Sequence, residues 1–120
     1  MSGEARLAAH VEVAGLIRRV QAEGGFAMVL HKGEQDAGTL MVVLRQGREP
    51  PRCFERMPSL DGNRTWQDTG PRGDDDREAG ESSAVDAYLE KRGRQDPDLW
   101  IVELDIADGE RFIGLTNTNR

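Results

Sequence analysis

Cys53 is the one thiol in this 120-residue chain, and it sits between Arg52 and Arg56 in sequence. Guanidinium groups close to a thiol favour the thiolate, the form that attacks electrophiles. A thiolate catalyst needs a proton partner, and His10 and His31 are the two histidines on offer. No recognisable nucleophile motif surrounds Cys53, so the residues favour a buried structural thiol, with no catalytic residue assigned. Asp74-Asp75-Asp76 carries charge that would suit a hard cation, but lacks the alternate-position ligands and closing glutamate of a calcium loop. Asp96 and Asp98 flank Pro97, where carboxylates more simply bond nearby amides. A single cysteine also excludes an internal disulfide and a zinc site of several thiolates. No metal and no cofactor is expected.

Phosphate chemistry fares no better. Gly24-Gly25 leads into a strand, whereas phosphate loops open helices whose free amides point at the anion. The net charge is -6, and the acids are concentrated in the second half of the chain. Nucleic-acid binding is therefore not expected, because its affinity comes from clustered bases that release phosphate counterions. All bases except Lys32 and Lys91 are arginines, whose planar fork suits a carboxylate or phosphate. No apolar run approaches the roughly 18 residues that span a bilayer. Residues 1–25 lack a basic start followed by an apolar stretch, so the expected location is the cytoplasm, away from membranes. Asn63-Arg64-Thr65 fits the glycosylation pattern, which carries no meaning there.

The elements that would position such residues can be read from periodicity. Leu7, Val11, Ala14 and Ile17 follow helical spacing, widened by Val13, Leu16 and Val20, and Gly24-Gly25 closes that helix at about Glu23. Phe26–His31 reads as a strand, with Phe26, Met28 and Leu30 on one face and Ala27 and Val29 on the other. Residues 39–45 are apolar on both faces, the pattern of a central strand covered on two sides. Further strands are expected at Arg52–Met57 and, after Asp61-Gly62, at Arg64–Gln67. Residues 68–82 hold Gly, Pro and acids with almost no apolar side chain, which predicts a mobile, solvated loop. Ser83 can cap a second helix, which must stop before Pro97. Leu99–Ile106 is the clearest strand, and Asp108-Gly109 predicts a hairpin to a final strand at Glu110–Leu115, with residues 116–120 fraying. The expectation is a single α+β domain over 1–120, two helices packed on a mainly antiparallel sheet in the order α-β-β-β-β-α-β-β.

Three stretches carry a resemblance: RLAAHVEVAGLIRRV from Arg6, GGFAMVLHKGEQDAGTLMVVL from Gly24, and YLEKRGRQDPDLWIVELD from Tyr88. Together they resemble a small bacterial family of uncharacterised proteins, catalogued as a domain of unknown function. The resemblance implies a compact single domain and carries over no catalytic residue. The order of elements also loosely resembles the core of metal-dependent, restriction-endonuclease-like nucleases. That likeness would place Glu12 and Asp36 at two of the metal-binding positions. The third, a Glu-x-Lys, fails, because Met57 stands two positions after Glu55 and Pro51 two positions after Glu49, where a lysine is required.

Composition points instead to a small cytoplasmic module that binds a protein partner or a small anionic ligand without catalysis. Leu, Ile, Val and Phe make up about a fifth of the chain, a thin core that a second subunit would supplement, so a homodimer is the expected assembly. The residues singled out for ligand or partner contact are Arg18, Arg19, His31, Asp36, Arg45 and Trp66. A sheet edge left open at 64–67 would offer a dimer contact through its unpaired amides. Whether residues 33–38 form a site or a turn is left open at this level.

Overall fold

The structure is a computed structural model that describes residues 8–47, 50–58, 64–71 and 81–114. The chain runs α1 (Ala9–Ala22), β1 (Phe26–His31), β2 (Leu40–Arg45), β3 (Arg52–Pro58), β4 (Arg64–Asp68), α2 (Glu81–Gln95) and β5 (Trp100–Asp105), and then a 3₁₀ turn at Gly109–Ile113. The five strands form one sheet in the order β1-β5-β2-β3-β4. Every pairing is antiparallel except β2 with β5. That parallel pair needs a long crossover, and β3, β4 and α2 supply it. The α+β class and the mainly antiparallel sheet are as the periodicity indicates.

Strand β2 lies in the middle, and its five apolar residues explain why. Leu40, Val42 and Leu44 enter one core with Val13, Leu16 and Val20 of α1, while Met41 and Val43 enter a second with Val85 and Leu89 of α2. Side chains of a strand alternate between its two faces, so a strand apolar at every position can only sit between two layers. β5 is divided in the same way: Trp100, Val102 and Leu104 face the α1 core, and Ile101, with Leu99 just before the strand, faces the α2 core.

Helix α1 ends on Gly24, whose φ of 89° is the left-handed value that glycine adopts freely. Its start has no side-chain cap. The amides of Ala9 and His10 donate instead to the carbonyls of Asp36 and Gln35. Helix α2 stops at Gln95, directly before the Asp96-Pro97 pair, as proline requires. It begins at Glu81, so Ser83 lies inside its first turn and is not the cap.

The expected final strand is a correction. Gly109–Ile113 is a 3₁₀ turn, entered through Asp108 at φ 56°, and no hairpin returns along β5. The cause is the sheet order: β5 already pairs with β1 on one side and β2 on the other, which leaves no edge for a returning strand. Phe112 and Ile113 turn down onto the α1 core instead. Of the acidic stretch expected to form a loop, residues 72–80 lie outside the described residues and 81–82 belong to α2. The Asp74–Asp76 run, Asn63 and the end of the chain after Gly114 also lie outside them.

Candidate functional site

Residues 33–38 are a structural knot. The Asp98 carbonyl oxygen accepts the Glu34 amide at 3.0 Å, and the Trp100 indole donates to the Glu34 carbonyl at 2.8 Å. The Glu34 carboxylate in turn accepts the amides of Asp36 and Ala37, closing the loop on itself. Since the same loop caps α1, two family-like stretches, GEQDAG and DPDLW, lock together and hold the first helix at its start. Asp36 serves there through its backbone carbonyl, while the residue itself is exposed.

Strand β3 clamps both helices. Glu55 faces α2, and the Arg92 guanidinium donates to both its oxygens at 2.7 and 3.0 Å. Arg92 also reaches the Tyr88 hydroxyl at 3.2 Å, and that hydroxyl donates to Thr69. The hydrogen bond to Glu55 pushes the Arg92 pKa up, against the opposing effect of burial. The next residue, Arg56, faces α1 and makes the mirror-image contact, donating to both Glu12 oxygens at 2.7 and 2.8 Å. Its guanidinium also lies 5.6 Å from the centre of the Trp66 ring.

The same alternation answers the question of Cys53. It is 1% exposed in the α2 core. Arg52 and Arg56 point to the other face of β3, where Arg52 covers the Phe54 ring and Arg56 the Trp66 ring. Burial pushes the Cys53 thiol up to about 12, Asp68 adds to the rise, and Arg45 opposes it. This is an unreactive thiol. Because the unfolded thiol ionises near 9 and the folded one near 12, its contribution to stability is complete below pH 9 and is lost as pH rises through 12. Denaturant midpoints should therefore fall across that interval, and Cys53→Ala should flatten the slope. A slope unchanged in the variant would assign the loss to other groups.

Concave regions lie on either side of the sheet. One, of about 310 Å³, lies between α1 and β4 and is lined by Val11, Glu12, Leu16, Arg19, Arg56 and Trp66 among others. Another, of about 460 Å³, lies between α2 and the β1 end and includes Leu30, His31, Glu90 and Arg94. Arg19 and Trp66 thus come together in one groove, with Arg18 exposed one residue earlier on α1. His31 stands apart, its Nδ1 held 2.6 Å from the Leu99 carbonyl oxygen and its ring packed where a side chain on Gly93 would sit. Arg45 is occupied by Glu103 at 3.1 Å and Asp86 at 3.5 Å.

A model of the family described as a protein of unknown function, DUF1491, matches residues 7–114. The chain belongs to the DUF1491 family. It is similar to a DUF1491 family protein from Caulobacter crescentus CB15 in its crystal structure, at 34% identity over 91% of this chain and 96% of that one, with a TM-score of 0.77. The NMR structure of a DUF1491 family protein from the same organism matches at 34% identity over 88% and 91% of the two chains, with a TM-score of 0.72. The solution structure of protein Atu0922 from A. tumefaciens matches at 29% identity over 86% and 88%, with a TM-score of 0.63. No curated protein matches the chain.

Among the described residues of this DUF1491 domain, nothing supports the nuclease alternative. Glu12 is forked onto Arg56, and Asp36 lies in the exposed turn ahead of β2. Among the described residues, no three His, Cys, Asp or Glu side chains gather closely enough to share a metal. No helix among them is long and apolar enough to cross a membrane.

Sequence reasoning missed one surface. Phe26, Met28 and Leu30 are 52%, 43% and 39% exposed, and with Val11 they are the large apolar side chains left in solvent among the described residues. Alternation showed that they share a face, but a strand apolar on both faces reads as buried. The exposed face follows from the position of β1 at the sheet edge, on the layer where α2 packs its Val85 and Leu89 against β2 and β5 instead.

Proposed function

We propose that this DUF1491 protein is a non-catalytic cytoplasmic binding module that works as a homodimer, joined through β1. The observation that carries this reading is the edge itself. β1 pairs on one side with β5 and has no neighbouring strand on the other among the described residues, and it reads Phe-Ala-Met-Val-Leu-His, with no proline, acid, lysine or arginine. Soluble proteins guard such edges with charge, proline or irregularity, because free amides and carbonyls recruit another strand. Here the one irregularity is a register shift between Val29 and His31, which leaves Phe26–Val29 regular.

A second copy fits this edge better than an unrelated strand does. Antiparallel self-pairing centred on Met28 sets Phe26 opposite Leu30 and Ala27 opposite Val29, so the apolar face continues across the join without opposed charges. The other edge, β4, is a weaker contact, since it begins with Arg64 and ends with Asp68. The single cysteine, buried and unreactive, suits a reducing compartment. Light scattering at micromolar concentration should give twice the 13.3 kDa chain mass. Met28→Lys should reduce it to one chain by opposing two ammonium groups across the pair, whereas Thr65→Pro on β4 should leave it unchanged. A wild-type protein of single-chain mass throughout the micromolar range would overturn the reading.

A further inference from the structure

Among the described residues six arginines are ion-paired, whereas the two on α1, Arg18 and Arg19, are not, and of these Arg19 lines the groove. Arg45, Arg52, Arg56, Arg92, Arg94 and Arg111 each have a carboxylate within 4.0 Å. Arg19 has none among the described residues, although acids outnumber bases 22 to 16 over the chain. Its guanidinium is held in place all the same, donating to the Phe112 carbonyl at 3.3 Å. A positioned guanidinium with spare donors, at the rim of a groove in a protein of net charge -6, is arranged for an anion from outside.

The rest of the groove specifies what the anion is attached to. Val11, Leu16 and Ile113 give it apolar walls and Trp66 gives it an indole. Gly15, which also lines it, has no side chain to fill the space. Glu12 is the one acid in the lining, and Arg56 neutralises it on both oxygens, so the uncompensated charge is that of Arg19. At about 310 Å³ the space is at the small end of ligand sites. We infer that the groove between α1 and β4 binds a small aromatic monocarboxylate, its ring against Trp66 and the apolar wall and its carboxylate on Arg19. This site is independent of β1, and the homodimer is not needed for it.

Phenylacetate is a suitable probe, titrated into the ¹⁵N-labelled full chain while the indole resonance of Trp66, assigned with Trp66→Phe, is followed. The resonance should shift and saturate in the millimolar range, the affinity expected for a ligand of this size. Arg19→Gln should weaken binding by about tenfold or more, since a charge-assisted hydrogen bond is lost. Lys91→Gln, which removes the same charge from α2, should leave it unchanged. Phenylacetamide and inorganic phosphate should fail to reproduce the shift. An absent or unsaturable shift, equal affinity in Arg19→Gln with a native amide spectrum, or equal binding of the amide or phosphate would each overturn the assignment.

Discussion

Gly33→Ala should destabilise the protein by about 3 kcal/mol or more, a large share of the stability of a small domain. A methyl group there would land on the carbonyl oxygen of Asp98 and 2.7 Å from the carbonyl carbons of Asp98 and Leu99. All three atoms belong to backbone, so no side chain can swing aside. Gly38 faces the same obstruction from the opposite side of the loop, with the Asp98 and Glu34 carbonyl oxygens and the Trp100 ring in the way. The glycines are therefore required by space, since neither needs a left-handed backbone. Gly24→Ala separates the two causes. Gly24 has a φ of 89° and open space around it, so alanine there should cost only about 1 kcal/mol. Chemical denaturation compares the three variants directly. If Gly33→Ala loses no more than Gly24→Ala, the knot yields more readily than its hydrogen bonds indicate.

That knot also shows where sequence reading stops. Gly33 and Gly38 mark a turn for any reader, and Asp96-Pro97-Asp98 marks another, but nothing local says that one turn is threaded against the other 60 residues away. His31 and Asp36 draw attention as polar residues beside apolar strands. The structure engages His31 with the Leu99 carbonyl and uses the Asp36 carbonyl to cap α1, roles that depend on the neighbour rather than on the residue type. The five strands were legible because alternation is local. The parallel pairing of β2 with β5 was not, because it depends on which edge is free when the chain returns. Asp108-Gly109 failed for that reason: a sound local signal for a hairpin was overruled by a strand already paired on both sides. Of the candidate contacts, Arg19 and Trp66 converge because α1 and β4 border one groove, which 46 intervening residues conceal.

Residues 55 and 56 carry opposite charges on opposite faces of β3, and the two clamps they form should differ in strength. Both are bidentate arginine-carboxylate pairs with nearly equal distances, so geometry predicts no difference. Burial predicts one: the Glu55 side chain is 11% exposed and that of Glu12 22%. Arg92→Met leaves the Glu55 carboxylate without its counter-charge in a site that water reaches poorly, and should cost about 3–5 kcal/mol. Arg56→Met leaves Glu12 closer to solvent, and should cost about 1–2 kcal/mol, part of it from the lost contact with Trp66. Removing both partners of the deeper pair, as Glu55→Met with Arg92→Met, should recover much of the loss, because the cost lies in the stranded charge more than in the missing attraction. Denaturant midpoints for the singles and the double decide it. A double variant no more stable than Arg92→Met alone would show instead that the pair, with Tyr88 and Thr69 behind it, is what holds α2 on the sheet.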